Sequence, residues 1–285
     1  MAPMVSIDFT TLLARAVSEP GLVSTAYSAF HGYSISNQLL ALCQCLQRGI
    51  APGPIATFPG WKSKGRFVRR GEKALALCMP VTCKRRATDD EPVDDERGTF
   101  TRFVYRPNWF VLSQTEGADV ATAALESWDV TRALSALDVR EEPFTLLDGN
   151  CQGYARQREI AVSPVAAAPH KTRFHELAHV VLGHTSEGDL TDGELTPRSL
   201  REVEAEAVAL VCLEALELPG AEYCRGYIQS WNAQRGADPI PERSAQRIFK
   251  TAETLESHTD TVQDQTGMNL ITQASENFQR PFIIV

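Results

Sequence analysis

Apolar residues recur at three-to-four spacing through residues 9–48, with Leu12, Leu13, Ala16 and Val17 on one face and Leu39, Leu40, Leu42 and Leu46 following a polar entry. That period predicts helices. Ser34 or Ser36 is placed to cap the second of them, which Gly49 and the loop carrying Pro52 and Pro54 bring to a stop. The pattern then changes, because residues 74–81 read as a buried strand and residues 100–114 are rich in aromatic and β-branched side chains. The two strands are expected to pair, with the acidic stretch 88–98 as a mobile hairpin tip. Past Gly117 the chain turns polar and small, which marks a domain boundary.

The second half alternates differently. Asp129 caps a helix over 130–137, and 144–150 and 158–164 read as short strands separated by turn chemistry. Helices follow over 172–182, closed by Gly183, and over 199–218, closed by Pro219 and Gly220, with two more in 221–233 and 241–256. Residues 257–279 are polar, with 282–285 able to dock the tail. The pattern predicts an α+β protein of two domains: residues 1–117, helical with a β-hairpin, residues 118–256, and a polar tail at 257–285.

Composition narrows this picture. Hydrophobic residues at 43% and charged residues at 22% are ordinary for a globular protein, and 285 residues suffice for two cores. Seven cysteines without a C-x-x-C pair make neither a disulfide framework nor a cysteine metal site, so they are expected to be reduced. No signal-peptide pattern opens the sequence and no apolar run reaches about 18 residues, so no membrane association and a cytoplasmic location are expected.

Charge is distributed unevenly. Residues 1–86 carry eleven Lys and Arg against three Asp and Glu, leaving seventeen against thirty-three for the remainder. A basic N-terminal part suits a polyanion. Lys62, Lys64, Arg66, Arg69, Arg70 and Lys73 are interleaved with Phe67 and preceded by Trp61. Cations neutralise phosphates and rings stack on unpaired bases, so this run is a candidate single-stranded-DNA site, with core packing an equal reading for Trp61 and Phe67. Asn37 and Gln38 are further candidates, set against a role in satisfying the backbone at a helix start.

The segment HELAHVVLGH, residues 175–184, carries the sharpest chemistry. Residues four apart share a helix face, so His175 and His179 can bind one Zn2+ while Glu176 acts as general base. A catalytic zinc needs a third protein ligand. His184 falls on the opposite helix face from His175 at about 100° per residue and misses the longer H-E-x-x-H-x-x-G-x-x-H spacing, so it reads as a surface or loop residue. Glu202 continues the apolar stripe of Ala205, Ala209, Cys212 and Leu216 and is the expected third ligand. The alternative is a capping box from Ser199 to Glu202. Glu206, one turn on, is an outer partner of a ligating histidine or an alternative ligand. These parts predict a zinc metallopeptidase in which Glu176 moves the proton of a metal-bound water to a leaving amine. The strand at 158–164 is expected to offer an edge to an extended peptide, and Tyr154, His170, Tyr223 and Tyr227 are candidate donors to a tetrahedral intermediate.

Several further segments carry a family resemblance: YSISNQLLA at 33–41, Trp61, GRFVRRGEKA at 65–74, WFVLSQTEG at 109–117, HELAH, the E-x-x-A-E of 202–206 and YIQSW at 227–231. In their order, over roughly residues 5–255, they resemble the ArdC-like antirestriction proteins of plasmids and other mobile elements, whose N-terminal domain also occurs in TraC-type primases. The resemblance implies a single-stranded-DNA-binding domain joined to a zincin-like metallopeptidase domain acting on an unidentified protein met at DNA, and it also implies Glu202 as third ligand. The stretch between His184 and Glu202 and the tail after Glu256 have no counterpart in the resemblance. The alternative function is a non-catalytic protein that shields incoming single strands, with a structural or vestigial zinc fold.

Overall fold

The computed structural model describes residues 8–84, 99–121, 127–146, 151–185, 198–234 and 240–257. The acidic stretch at 88–98 and the tail beyond residue 257 lie outside them.

Three helices open the chain: α1 (Phe9–Ser18), α2 (Leu22–Ala29) and α3 (Ile35–Arg48). Asp8 caps α1 by accepting from Thr11 N, and Leu12, Leu13, Ala16 and Val17 are its buried face, as their spacing predicts. Gly49 ends α3 in the left-handed region (φ 63°), where a side chain would be strained.

Strand β1 (Ile55–Thr57), helix α4 (Phe58–Ser63), strands β2 (Arg66–Val68), β3 (Leu75–Lys84) and β4 (Thr99–Val111), a 3-10 turn (Leu112–Gln114) and β5 (Thr115–Gly117) follow. The expected hairpin is present, since β3 and β4 pair antiparallel from Leu75↔Trp109 to Lys84↔Thr99. Its sheet runs β1-β4-β3, and β2 pairs with β5 beside it.

As an outer strand, β3 needs partners for its other row of backbone groups. Side-chain amides of α3 supply them. Asn37 donates to Cys78 O (3.0 Å) and accepts from Cys78 N (2.8 Å). Gln44 does the same for Ala76, at 2.8 and 2.9 Å. Seven residues apart on one helix face, these two amides imitate a neighbouring strand.

The remaining elements are α5 (Val130–Ala136), β6 (Arg140–Glu141), β7 (Gly153–Arg156), β8 (Glu159–Val162), α6 (Pro169–Val181), α7 (Arg198–Ala215), α8 (Ala221–Gln234) and α9 (Glu242–Glu256). Asp129 caps α5 through Arg132 N, as expected. The strand expected at 144–150 is not formed at Phe144–Leu146, which follow Pro143 and its missing N–H; β7 takes its place in the sheet β6-β8-β7.

Helix α7 is the centre of the fold. All residues from Val203 to Ala215 are buried, and the helix packs against α2, α6, α8 and α9. Buried charge requires pairing, and each buried glutamate of α7 is paired. Glu214 meets Arg225 of α8 and accepts from Gly21 N and Val23 N, capping the start of α2. This contact ties the N-terminal helices to the C-terminal ones, as do the bonds from Phe9 N and Thr10 N to Glu242. The buried cluster runs from Leu12 to Leu255 without a break at the boundary expected near Gly117. Among the described residues, no helix is long and apolar enough to cross a membrane.

Candidate metal centre and nucleic-acid face

Helix α6 presents His175 and His179 one turn apart, and α7 brings Glu202 against them. Their Nε2 atoms stand 3.1 Å apart, and Glu202 Oε2 lies 3.5 Å from the first and 3.6 Å from the second. Among the described residues these three form the one cluster of His, Cys, Asp and Glu whose ligand atoms gather within 4.8 Å. Atoms held 2.0–2.1 Å from a tetrahedral zinc lie about 3.3 Å from one another, so the observed triangle fits an ion at its centre.

Ser199 lies inside α7, so it does not stand at the N-cap position that the alternative capping box to Glu202 requires. The stripe argument that pointed to Glu202 also needs correction. Helix α7 is buried on every side only from Val203 onward, and Glu202, in its first turns, is its most exposed glutamate at 35%, against 6% for Glu206 and none for Glu204.

Glu206 sits on the other edge of the His175 ring, its Oε1 3.3 Å from Nδ1 and 2.5 Å from Lys171 Nζ. That is the position an outer partner of a ligating histidine takes, behind the ring and away from the triangle. Burial pushes the Glu206 carboxyl up, but His175 and Lys171 overcome it and hold it at about 2. Burial likewise disfavours charge on His175, yet hydrogen bonding with Glu202 and Glu206 raises it to about 9. His175 and His179 hold Glu202 far below the usual carboxylate range.

Glu176, one step round α6, is buried, and this burial raises its carboxyl pKa against the pull of His175 and His179. A Cβ at Gly153 of β7 would come within 3.0 Å of Glu176 Oε1 and 2.5 Å of Thr172 Cγ2. A side chain there would have to displace Thr172 first, so the glycine lets β7 lie close against α6 beside the carboxylate.

His184 is not a surface residue. Its side chain is 5% exposed, and its Nδ1 lies 3.0 Å from His179 Nδ1. The helical extrapolation failed because α6 ends first: Gly183 enters the left-handed region (φ 77°) and His184 N donates to His179 O at 2.8 Å, folding the chain back. Gly183 was visible in the sequence as the stop signal, but the direction of the chain after it was not. Lys171 and Glu204 were also missed, because nothing local distinguishes them.

The expected peptide edge at 158–164 is corrected as well. Strand β8 is the middle strand, paired parallel with β6 and antiparallel with β7, so among the described residues β7 is an outer strand instead. Of the candidate donors, half-exposed Tyr227 has its pKa pushed up by the partial burial of its hydroxyl, with the charges of Glu202 and Glu206 adding to it. His170 and Tyr223 line a separate cleft with Pro169, Pro219 and Gly220, and Tyr154 stacks near Phe144.

The nucleic-acid candidates divide. Trp61 is 1% exposed and its Nε1 donates to Phe110 O at 2.8 Å, so its ring is core and cannot stack on a base. Asn37 is spent on Cys78, and buried Gln38 donates to Tyr33 O at 2.7 Å. Arg66 is engaged by Thr115, Gly117 and Ala118, and Arg69 by Ser113 O and Glu72. Lys62, Lys64, Arg70 and Lys73 are exposed, and Phe67 stands 55% exposed among them.

The fold and the site together define a mixed α+β protein with a two-histidine, one-carboxylate cluster between two helices. Residues 15–107 match the N-terminal domain of anti-restriction factor ArdC. Across 95% of this chain and 99% of that one, the fold is similar to the metal-free antirestriction ArdC protein from the R388 plasmid, at 20% identity and a TM-score of 0.53. The Mn(II)-bound structure of that protein matches at 17% identity and a TM-score of 0.52, covering 90% of this chain and 99% of that chain. No curated protein matches the sequence. The fold is thus ArdC-like, and residues 15–107 are similar in sequence to the ArdC N-terminal domain.

Proposed function

We propose that this protein is an antirestriction factor of a mobile element, built as a zinc metallopeptidase of zincin type (118–256) fused to a single-stranded-DNA-binding region (1–117). The observation that carries the reading is the triangle of His175 Nε2, His179 Nε2 and Glu202 Oε2 with buried Glu176 beside it. The Mn(II)-bound form of the R388 ArdC protein supports a metal on this fold, and the ArdC match supports the antirestriction role.

A divalent ion there would supply a water of lowered pKa and polarise a peptide carbonyl. Glu176 takes the proton from the attacking water at its carboxylate and returns it to the leaving amine, a double task that the upward push of burial on its pKa favours. Outer strand β7, held against Glu176 by Gly153, is the strand along which an extended peptide of the protein substrate lies. Tyr227 donates to the developing oxyanion. Lys62, Lys64, Arg70 and Lys73 contact phosphates and Phe67 stacks on a base, bringing the site to proteins engaged on DNA.

The test is Glu176→Gln in cells challenged with unmodified incoming DNA, with metal content measured on the purified variant. Normal metal content with lost protection is expected. Full protection by a metal-loaded Glu176→Gln would remove peptide hydrolysis from the account and leave the shielding of DNA in its place.

A further inference from the structure

His184 and Glu204 form a buried chain that ends on a candidate metal ligand. His184 Nδ1 faces His179 Nδ1 at 3.0 Å, and its Nε2 faces Glu204 Oε2 at 3.0 Å. Glu204 has no exposed surface, and Arg247 of α9 stands 3.6 Å from its other oxygen. Arg247 is itself anchored to Leu182 O at 2.7 Å, beside the turn that carries His184.

We propose that His184 and Glu204 are positioning residues that fix the tautomer and ring orientation of His179. A carboxylate only accepts hydrogen bonds, so the hydrogen between Glu204 and His184 sits on His184 Nε2. Neutral His184 then turns a bare Nδ1 lone pair toward His179. The hydrogen between the two facing Nδ1 atoms is therefore carried by His179, and its Nε2 is left bare, aimed at His175 Nε2 and Glu202. That is the tautomer a metal requires. The two ligand histidines are thus oriented from the same helix, His175 by Glu206 directly and His179 by Glu204 through an inserted imidazole. Because α7 also supplies Glu202, a shift of this one helix would disturb all three positions together.

The inference rests on the metal reading, but its first test needs no metal. Nitrogen chemical shifts of 15N-labelled histidines in metal-free protein report which ring nitrogen of His179 is protonated. His179 is expected as the Nδ1–H form, and His184→Leu is expected to abolish that preference. A His179 ring in the Nε2–H form, or one indifferent to His184→Leu, would overturn the proposal even if the protein proves to be a metallopeptidase.

The second test is zinc affinity by chelator competition. His184→Leu is expected to weaken binding about 10- to 100-fold. His184→Gln, whose amide offers an acceptor to His179 and a donor to Glu204, is expected to restore most of the loss. Equal loss in both variants, tracking their thermal stability, would reduce the pair to ordinary packing.

Discussion

Replacing Asn37 by alanine would separate a scaffold role from a nucleic-acid role at one position. The side chain makes two hydrogen bonds to the outer strand β3, 3.0 Å to Cys78 O and 2.8 Å from Cys78 N. Each is worth about 1 kcal/mol net, and leaving the partly buried backbone groups without partners adds to the loss, so the variant should be destabilised by about 2–3 kcal/mol. A chain of this size responds with a fall in Tm of about 2–4 °C per kcal/mol, hence roughly 4–12 °C. The side chain is 8% exposed, so the affinity of the folded variant for a labelled single-stranded oligonucleotide should not change. Calorimetry for stability and fluorescence anisotropy for binding, both below the variant's transition, give the two readouts. An unchanged Tm with a several-fold loss of DNA affinity would show that the amide faces nucleic acid and that the strand-mimic account is wrong.

Glu256 is buried, and burial raises its carboxyl from an ordinary 4.5 to about 7 although Tyr27 donates to it. The unfolded chain therefore ionises first as pH rises; the contribution of this group is intact below 4.5, falls between 4.5 and 7, and is lost above 7. Glu256→Gln should thus stabilise the protein by about 3 kcal/mol at pH 8, with the gain shrinking toward pH 5; a gain that does not vary with pH in denaturant titrations would contradict this. Neutralising Lys62, Lys64 and Arg70 together should lower single-strand affinity and cut the salt slope by up to about 2, at roughly 0.7 per phosphate contact, whereas Arg69→Ala should mainly cost stability. An unchanged slope in the triple variant would remove the basic face from the binding account. In metal analysis, Glu202→Ala should lose the ion and Glu206→Ala should retain it at reduced affinity; the reverse order would exchange their roles.

Much of this protein was legible one residue at a time. The helical face of α1, the stop of α3 at Gly49, the cap at Asp129 and the hairpin of β3 and β4 follow from periodicity and turn chemistry, which act over a few residues. The pairing of His175 with His179 is equally local, because a spacing of four fixes one face of any helix. What the amphipathic pattern could not show is which polar side chains turn inward. Asn37 and Trp61 carry the chemistry of a nucleic-acid site, yet both are used up on backbone groups of distant strands. The middle position of β8 depends on a parallel partner, β6, about twenty residues upstream.

HELAHVVLGH by itself determined two imidazoles and a carboxylate at fixed relative angles, since the helix that carries them is set by local hydrogen bonds. The tertiary structure decided everything that arrives from elsewhere: Glu202 closing the triangle, Glu206 behind His175, Gly153 against Glu176, and His184 folded back onto Glu204. The physical reason is burial. From Val203 to Ala215 helix α7 is enclosed on every side, so the glutamates there must find cations, imidazoles or N–H groups, and which of these they meet is set by the packing of α2, α6, α8 and α9 around it.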